Sequence, residues 1–91
     1  LAAALSARGI RAGDRIAVVS ENQPAWVIAD LANATLGVTT VGIYPTLPAP
    51  QIAFILKDCG ARAIYAQDAK QLAKVVEARA DAPSLESVFL F

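Results

Sequence analysis

Residues 15–43 read RIAVVSENQPAWVIADLANATLGVTTVGI: an apolar β-branched run, a polar loop, a helix-like stretch and a second apolar run. The outer runs, RIAVVS (15–20) and VTTVGI (38–43), are continuously apolar or β-branched rather than alternating. That is the pattern of strands covered on both faces of a sheet. Two more runs of the same kind follow, RAIYAQ (62–67) and SVFLF (87–91). Successive runs begin roughly two dozen residues apart, which leaves room for a crossover helix and is far too long for a hairpin. No sequence similarity accompanies the spacing, so what repeats is βα architecture and not a solenoid unit. The fold class is therefore α/β: a mostly parallel sheet with right-handed crossover helices, in the order β-α-β-α-β-α-β.

The intervening segments carry helical signals. PAPQIAFILKDCG (48–60) places Ile52, Ile55, Leu56 and Cys59 on one face, with Lys57 and Asp58 off it and Gly60 positioned to stop the helix. In DAKQLAKVVEARAD (68–81), Leu72, Val75 and Val76 form the expected apolar stripe and Asp68 suits the N-cap. Lys70, Lys74, Glu77 and Arg79 are expected in solvent. The helix after Pro24 is apolar on more than one side, through Trp26, Val27, Ile28 and Leu31, which predicts deep burial. ARADAPSLES (78–87), with Pro83, reads as an ordinary surface connection.

The chain is 91 residues long, enough for one domain or part of one. Its hydrophobic fraction is 56% without glycine, where roughly 45–50% with glycine is usual. The excess predicts faces meant for a partner, first of all the rest of a longer chain, and self-association through those faces where they are left open. No Met occurs, LAAALSARG (1–9) begins as if already inside a helix with Leu1 and Leu5 one turn apart, and SVFLF stops within a strand-like run. These ends read as those of an excerpt.

Eight basic and eight acidic residues cancel without forming a basic stripe, so nucleic-acid binding has no electrostatic footprint. A single Cys makes no internal disulfide, and the lack of His removes histidine acid–base chemistry and most zinc sites from these residues. LAAALSA lacks the basic segment of a signal peptide and is followed by Arg8. Residues 26–44 are long enough to weigh as a membrane span, but Asp30, Asn33, Thr35, Thr39 and Thr40 interrupt them. A central Asp costs about 2.5–3.5 kcal/mol on insertion scales, so no transmembrane segment is expected.

In open α/β sheets ligands gather beyond the carboxyl ends of the strands, here Ser20-Glu21-Asn22, Tyr44-Pro45-Thr46 and Gln67-Asp68. SENQPAW (20–26) has no Gly to let backbone approach a phosphate, and Asn22 reads first as the cap of its own helix with Pro24 in the first turn, the competing reading being a donor to a ligand beside the free helix N–H groups. GVTTVG (37–42) has phosphate-loop glycine spacing, but Ile43 and Tyr44 stand where Lys and Ser/Thr are required. Gly37 is better read as a helix stop and Gly42 as a point of close packing. Cys59, on the apolar face near a helix C-terminus, has no base to activate it. The carboxylates are scattered as caps or solvated charges. IYPTLPAP (43–50) offers two hydroxyls, Tyr44 and Thr46, at a strand's carboxyl end, and these are the candidate substrate-binding residues. The competing reading is a rigid connection that packs Tyr44 and Leu47.

Taken together, GDR (13–15), SENQPAW, IADLA (28–32), IYPTL (43–47) and ILKDCGAR (55–62) resemble, in this order, the N-terminal part of AMP-forming acyl-CoA synthetases of the adenylate-forming superfamily. The SENxPxW…IYPTL combination is most similar to the long-chain fatty acyl branch. The resemblance implies a parent enzyme that joins a fatty acid to CoA with ATP and Mg²⁺ through an acyl-adenylate. It implies a cytoplasmic enzyme, with peripheral membrane association open at full length. The family's Ser/Thr/Gly-rich phosphate loop ending in Lys, its adenine-site motif and its C-terminal-domain Lys have no counterpart here. No catalytic, cofactor-binding or metal residue is therefore assigned, and ATP, CoA and Mg²⁺ are not expected to bind this segment tightly. It would be a structural part of a larger N-terminal domain. The alternatives are a free-standing Rossmann-like or flavodoxin-like nucleotide-binding module, or a non-enzymatic α/β scaffold domain.

Overall fold

The computed structural model describes residues 7–21 and 24–90. The strands are β1 (Arg15–Val19), β2 (Thr39–Ile43), β3 (Ala63–Ala66) and β4 (Ser87–Leu90), and the helices are α1 (Pro24–Thr35), α2 (Ala49–Cys59) and α3 (Ala69–Ala78), the last running into a 3₁₀ turn at Arg79–Asp81. All strand pairs are parallel, in the order β2-β1-β3-β4. The expected α/β class and element order are those observed. The helix expected around Leu1 and Leu5, the Asn22 cap and the end of the fourth strand at Phe91 lie outside the described residues.

The strand order makes the chain reverse direction across the sheet. β1 leads outward to β2, and the next crossover returns past β1 to β3. Right-handed crossovers then put α1 on one face and α2 with α3 on the other. The core divides accordingly. Ala17, Val19, Ile43, Ile64 and Ala66 pack with Ile52, Ala53 and Leu56 of α2 and Val75 and Ala78 of α3. Ile16, Val18, Ala63 and Tyr65 pack with Ala29 and Ala32 of α1, and with Ile10 and Val38. Alternate residues of β1 thus serve opposite layers, which is why its sequence shows no apolar–polar alternation.

Helix ends follow their sequence signals. Gly37 and Gly60 take left-handed conformations, with φ of 72° and 67°. After α1, Val38 N–H donates to Asn33 O at 2.8 Å and Gly37 N–H to Ala34 O at 3.1 Å, satisfying carbonyls that the helix leaves open. Gly60 and Ala61 N–H both donate to Leu56 O after α2. Asp68 caps α3 by accepting from Gln71 N–H at 3.0 Å. On α1 a polar chain ties the helix to the edge strand. Asn33 Nδ2 donates to Thr40 Oγ1 at 3.0 Å, and that hydroxyl donates to Asp30 Oδ1 at 2.7 Å.

At the amino ends of the strands Arg62 gathers three segments. Its guanidinium lies 3.0 Å from Asp14 Oδ2 and 2.5 Å from Glu86 Oε2. The hydrogen bond to Glu86 is the main cause raising the Arg62 pKa, opposed by desolvation and aided by the charges of Asp14 and Glu86. Two of the expected scattered carboxylates thus form a cluster. The 78–87 connection is also more than surface, because Ala82 and Leu85 enter the core and Ser84 Oγ donates to Ala61 O.

Three further expectations are corrected. In α3 the inward residues are Gln71, Val75 and Ala78 with Leu72 beside them, while Val76, about 100° round the helix from Val75, is exposed. Lys74 is half-buried and hydrogen-bonded rather than solvated. α1 is not deeply buried within these residues: Val27, Ile28 and Leu31 are 53%, 57% and 62% exposed. A helix of this size touches its sheet with one stripe, and α1 has apolar residues on two.

Candidate functional site: a groove beyond the carboxyl ends of β1 and β2

Where β1 and β2 end, a groove of 510 Å³ opens between the Ser20–Glu21 loop and the turn after Ile43. Gly42 and Ile43 lie along its base, with Trp26, Tyr44, Pro45 and Thr46 around it. Trp26 is half-buried, packing part of its ring on the α1-side core. Gly42 is not the point of close packing expected from sequence, since a Cβ there would meet no atom within 4 Å. It faces the α1 side beside Val18, near the first turn of α1, so its missing side chain widens the groove.

Tyr44 is 77% exposed, so the reading in which it packs into the scaffold does not hold, whereas Leu47 does pack against the core. Tyr44 and Thr46 both line the groove, and Thr46 with Glu21 and Pro45 also borders a second hollow of 440 Å³ on the α3 side. That hollow is polar, with Gln67, Asp68, Lys70, Gln71 and Lys74 around it. The 44–47 turn is a ridge between an apolar-walled groove and a charged hollow.

The loops themselves are held from β3 and α3. Gln67 Oε1 accepts from Glu21 N–H at 2.7 Å and from Ser20 Oγ at 3.3 Å. Gln67 thereby bridges the crevice between β1 and β3, the place where strand order reverses and α/β proteins bind ligands. Lys74 Nζ donates to Pro45 O at 2.7 Å and Leu47 O at 3.1 Å. Sequence reading named Gln67 only as a strand end and placed Lys74 in solvent. The signal for Gln67 was a polar side chain at the switch point; Lys74 offered none, because its partners are main-chain oxygens of a distant turn.

Chemically the site is a wall. Among the described residues no group of three or more His, Cys, Asp or Glu side chains is placed to hold a metal ion. Cys59 is half-buried on α2 with Sγ 3.8 Å from Leu56 O, away from the groove. Among the described residues no glycine-rich loop presents backbone N–H groups to a phosphate.

Comparison with known proteins gives this wall a context. The AMP-binding enzyme family matches residues 1–90. The chain belongs to that family. A long-chain-fatty-acid–CoA ligase, FadD15 of Mycobacterium bovis, is 34% identical over 80 residues, which cover 88% of this chain and 13% of that protein. FadD13 of Mycobacterium tuberculosis, of the same description, is 35% identical over 80 residues, 87% of this chain and 16% of the relative. Among solved structures, the anthranilate CoA ligase AuaEII in complex with anthranoyl-AMP superposes with a TM-score of 0.92 at 28% identity, over 99% of this chain and 17% of its own. A Mycobacterium tuberculosis fatty acyl CoA synthetase gives 0.88 at 29%, over 99% and 18%. The chain spans about an eighth of the length of the first of these relatives. As an AMP-binding-family segment, its strand–helix frame is shared along nearly its whole length. Among the described residues no helix is long and apolar enough to cross a membrane.

Proposed function

We infer that the chain is part of the large N-terminal AMP-binding domain of an ATP-dependent fatty acid–CoA ligase. The observation that carries this reading is the identity of 34–35% to long-chain-fatty-acid–CoA ligases across most of the chain. The parent enzyme takes a fatty acid, ATP and CoA with Mg²⁺, and works in the cytoplasm or peripherally at a membrane. Within it, residues 1–91 frame the site rather than react.

The residues present do not fit ATP or Mg²⁺. Gln67 occupies the switch-point crevice, the hollow beside it mixes Lys70 and Lys74 with Glu21 and Asp68, and the sequence carries no glycine-rich phosphate loop. Those ligands belong to other parts of the parent chain. This segment contributes the apolar-walled groove, with Tyr44 and Thr46 on its rim facing the acyl substrate. The free nucleotide-binding alternatives lose ground on the same geometry.

The test is fatty-acid-dependent pyrophosphate release and acyl-CoA formation by the parent protein, across carboxylates from acetate to long-chain acids. Turnover with long-chain acids supports the reading. Turnover restricted to aryl or short acids removes the substrate class, and none with any carboxylate removes the ligase assignment. Tyr44→Ala and Thr46→Val then probe the rim: an unchanged KM for the fatty acid in both would take the groove out of the substrate's path.

A further inference from the structure

Lys74 is the one lysine among the described residues with hydrogen bonds to two main-chain carbonyls, and both lie in the 44–47 turn. The turn is closed on itself only by Leu47 N–H donating to Tyr44 O at 3.2 Å. Pro45 and Pro48 supply no N–H groups, so the turn has few ways to hold itself. Its carbonyls instead converge on an ammonium delivered by α3. Bonds from a charged donor are about twice as strong as neutral ones. The anchor is firm because the capping bond from Asp68 and the burial of Val75 fix α3.

We propose that Lys74 is a positioning residue: it pins the turn that carries Tyr44 and Thr46 at the groove rim, and so sets how well the parent enzyme binds its carboxylic substrate. This rests on the ligase reading above. An ammonium free to bind an anion in the polar hollow is the competing role, but two of its three N–H groups already point at carbonyls. The sequence distance, from α3 back to the β2–α2 turn, means that this contact exists only when the sheet is assembled.

The experiment uses the full-length parent enzyme with Lys74→Met, which keeps the apolar stem and helix propensity while removing every donor. Lys74→Arg is the conservative variant, and Lys70→Met is a control that removes an exposed ammonium from the same helix, one with no hydrogen bond to the turn. The first readout is amide hydrogen exchange at Leu47, which needs no activity. The expected result is exchange accelerated ~10-fold or more in Lys74→Met, unchanged in Lys70→Met and restored in Lys74→Arg. The second is the KM–kcat split, with KM for the fatty acid raised ~5-fold and kcat within about twofold.

Unchanged exchange at Leu47 overturns the pin. Faster exchange with unchanged KM overturns the link to substrate while leaving the ligase reading intact. A wild-type parent that makes no acyl-CoA fails the ligase reading and with it the substrate role, and hydrogen exchange still decides the pin. Lys74→Gln, with one short amide donor and no charge, replaces Lys74→Met if that variant does not fold, with the same outcomes.

Discussion

The two layers on this sheet differ in how completely they finish their own burial. On one side α2 and α3 close over β1, β2 and β3, and Ile52, Leu56 and Val75 are fully buried. On the other side α1 covers Ile16, Val18 and Tyr65 with only Ala29, Ala32 and part of Trp26, and turns Val27, Ile28 and Leu31 outward. α1 and α2 each carry four large apolar residues, but α2 fully buries Ile52 and Leu56 whereas α1 fully buries none of its four. An apolar surface beyond what the local sheet can accept is surface meant for something else. The chain matches about an eighth of a longer ligase, and the remainder of such a protein is the cover proposed for that face.

The largest effect expected is at the finished layer. Leu56→Ala removes a wholly buried side chain and should destabilise by about 2–5 kcal/mol in a urea titration. A loss under about 1 kcal/mol would mean that this layer is no better packed than the other. Next comes Tyr65, on the α1 side and 2% exposed, where burial pushes the phenol up to about 12. The fold favours the neutral phenol, so its contribution is complete below pH 10 and lost as pH rises from 10 towards 12. The loss should be about 2 kcal/mol, seen as a falling Tm in wild type that Tyr65→Phe flattens.

Leu31→Ser sets the outer face of α1 against itself in two contexts. In the 91-residue chain it should change stability by no more than about 0.5 kcal/mol; in the parent protein, where the face is expected to be covered, it should cost about 1–3 kcal/mol. Neutrality in both would show that the face covers nothing. The smallest effect separates the two helix ends. At Gly37 an added Cβ would lie 3.2 Å from Ala12 Cβ, whereas at Gly60 the nearest atom is an Arg15 side-chain nitrogen at 3.8 Å. Both alanine variants meet the left-handed penalty of about 1–2 kcal/mol, and Gly37→Ala should exceed Gly60→Ala in thermal denaturation.

Local chemistry explains which features were readable in advance. Strand runs, the Gly37 and Gly60 stops and the Asp68 cap depend on residues within a turn of each other, so their signals sit side by side in the chain. The family resemblance was legible for a related reason, since its motifs, SENQPAW and IYPTL among them, are continuous stretches of the chain. The site was half legible. Tyr44 and Thr46 stand at the groove, as their place after a strand implied. The open space at Gly42 and the outward turn of Val76 were not, because neighbours set them across the sheet or by the rotation of a helix on it.

Residue order alone was enough for the α/β class and the number of crossovers, since periodicity and spacing express them directly. It left open which strand neighbours which, because a crossover of given length can step to either side. Folding resolved that as β2-β1-β3-β4. The order in turn brought Gln67 to Ser20 and Glu21, and Lys74 to the carbonyls of Pro45 and Leu47. Those contacts join groups far apart in the chain, and their hydrogen-bonding capacity is common to every Gln, every Lys and every peptide unit. Position in space, and not residue type, is what selected them.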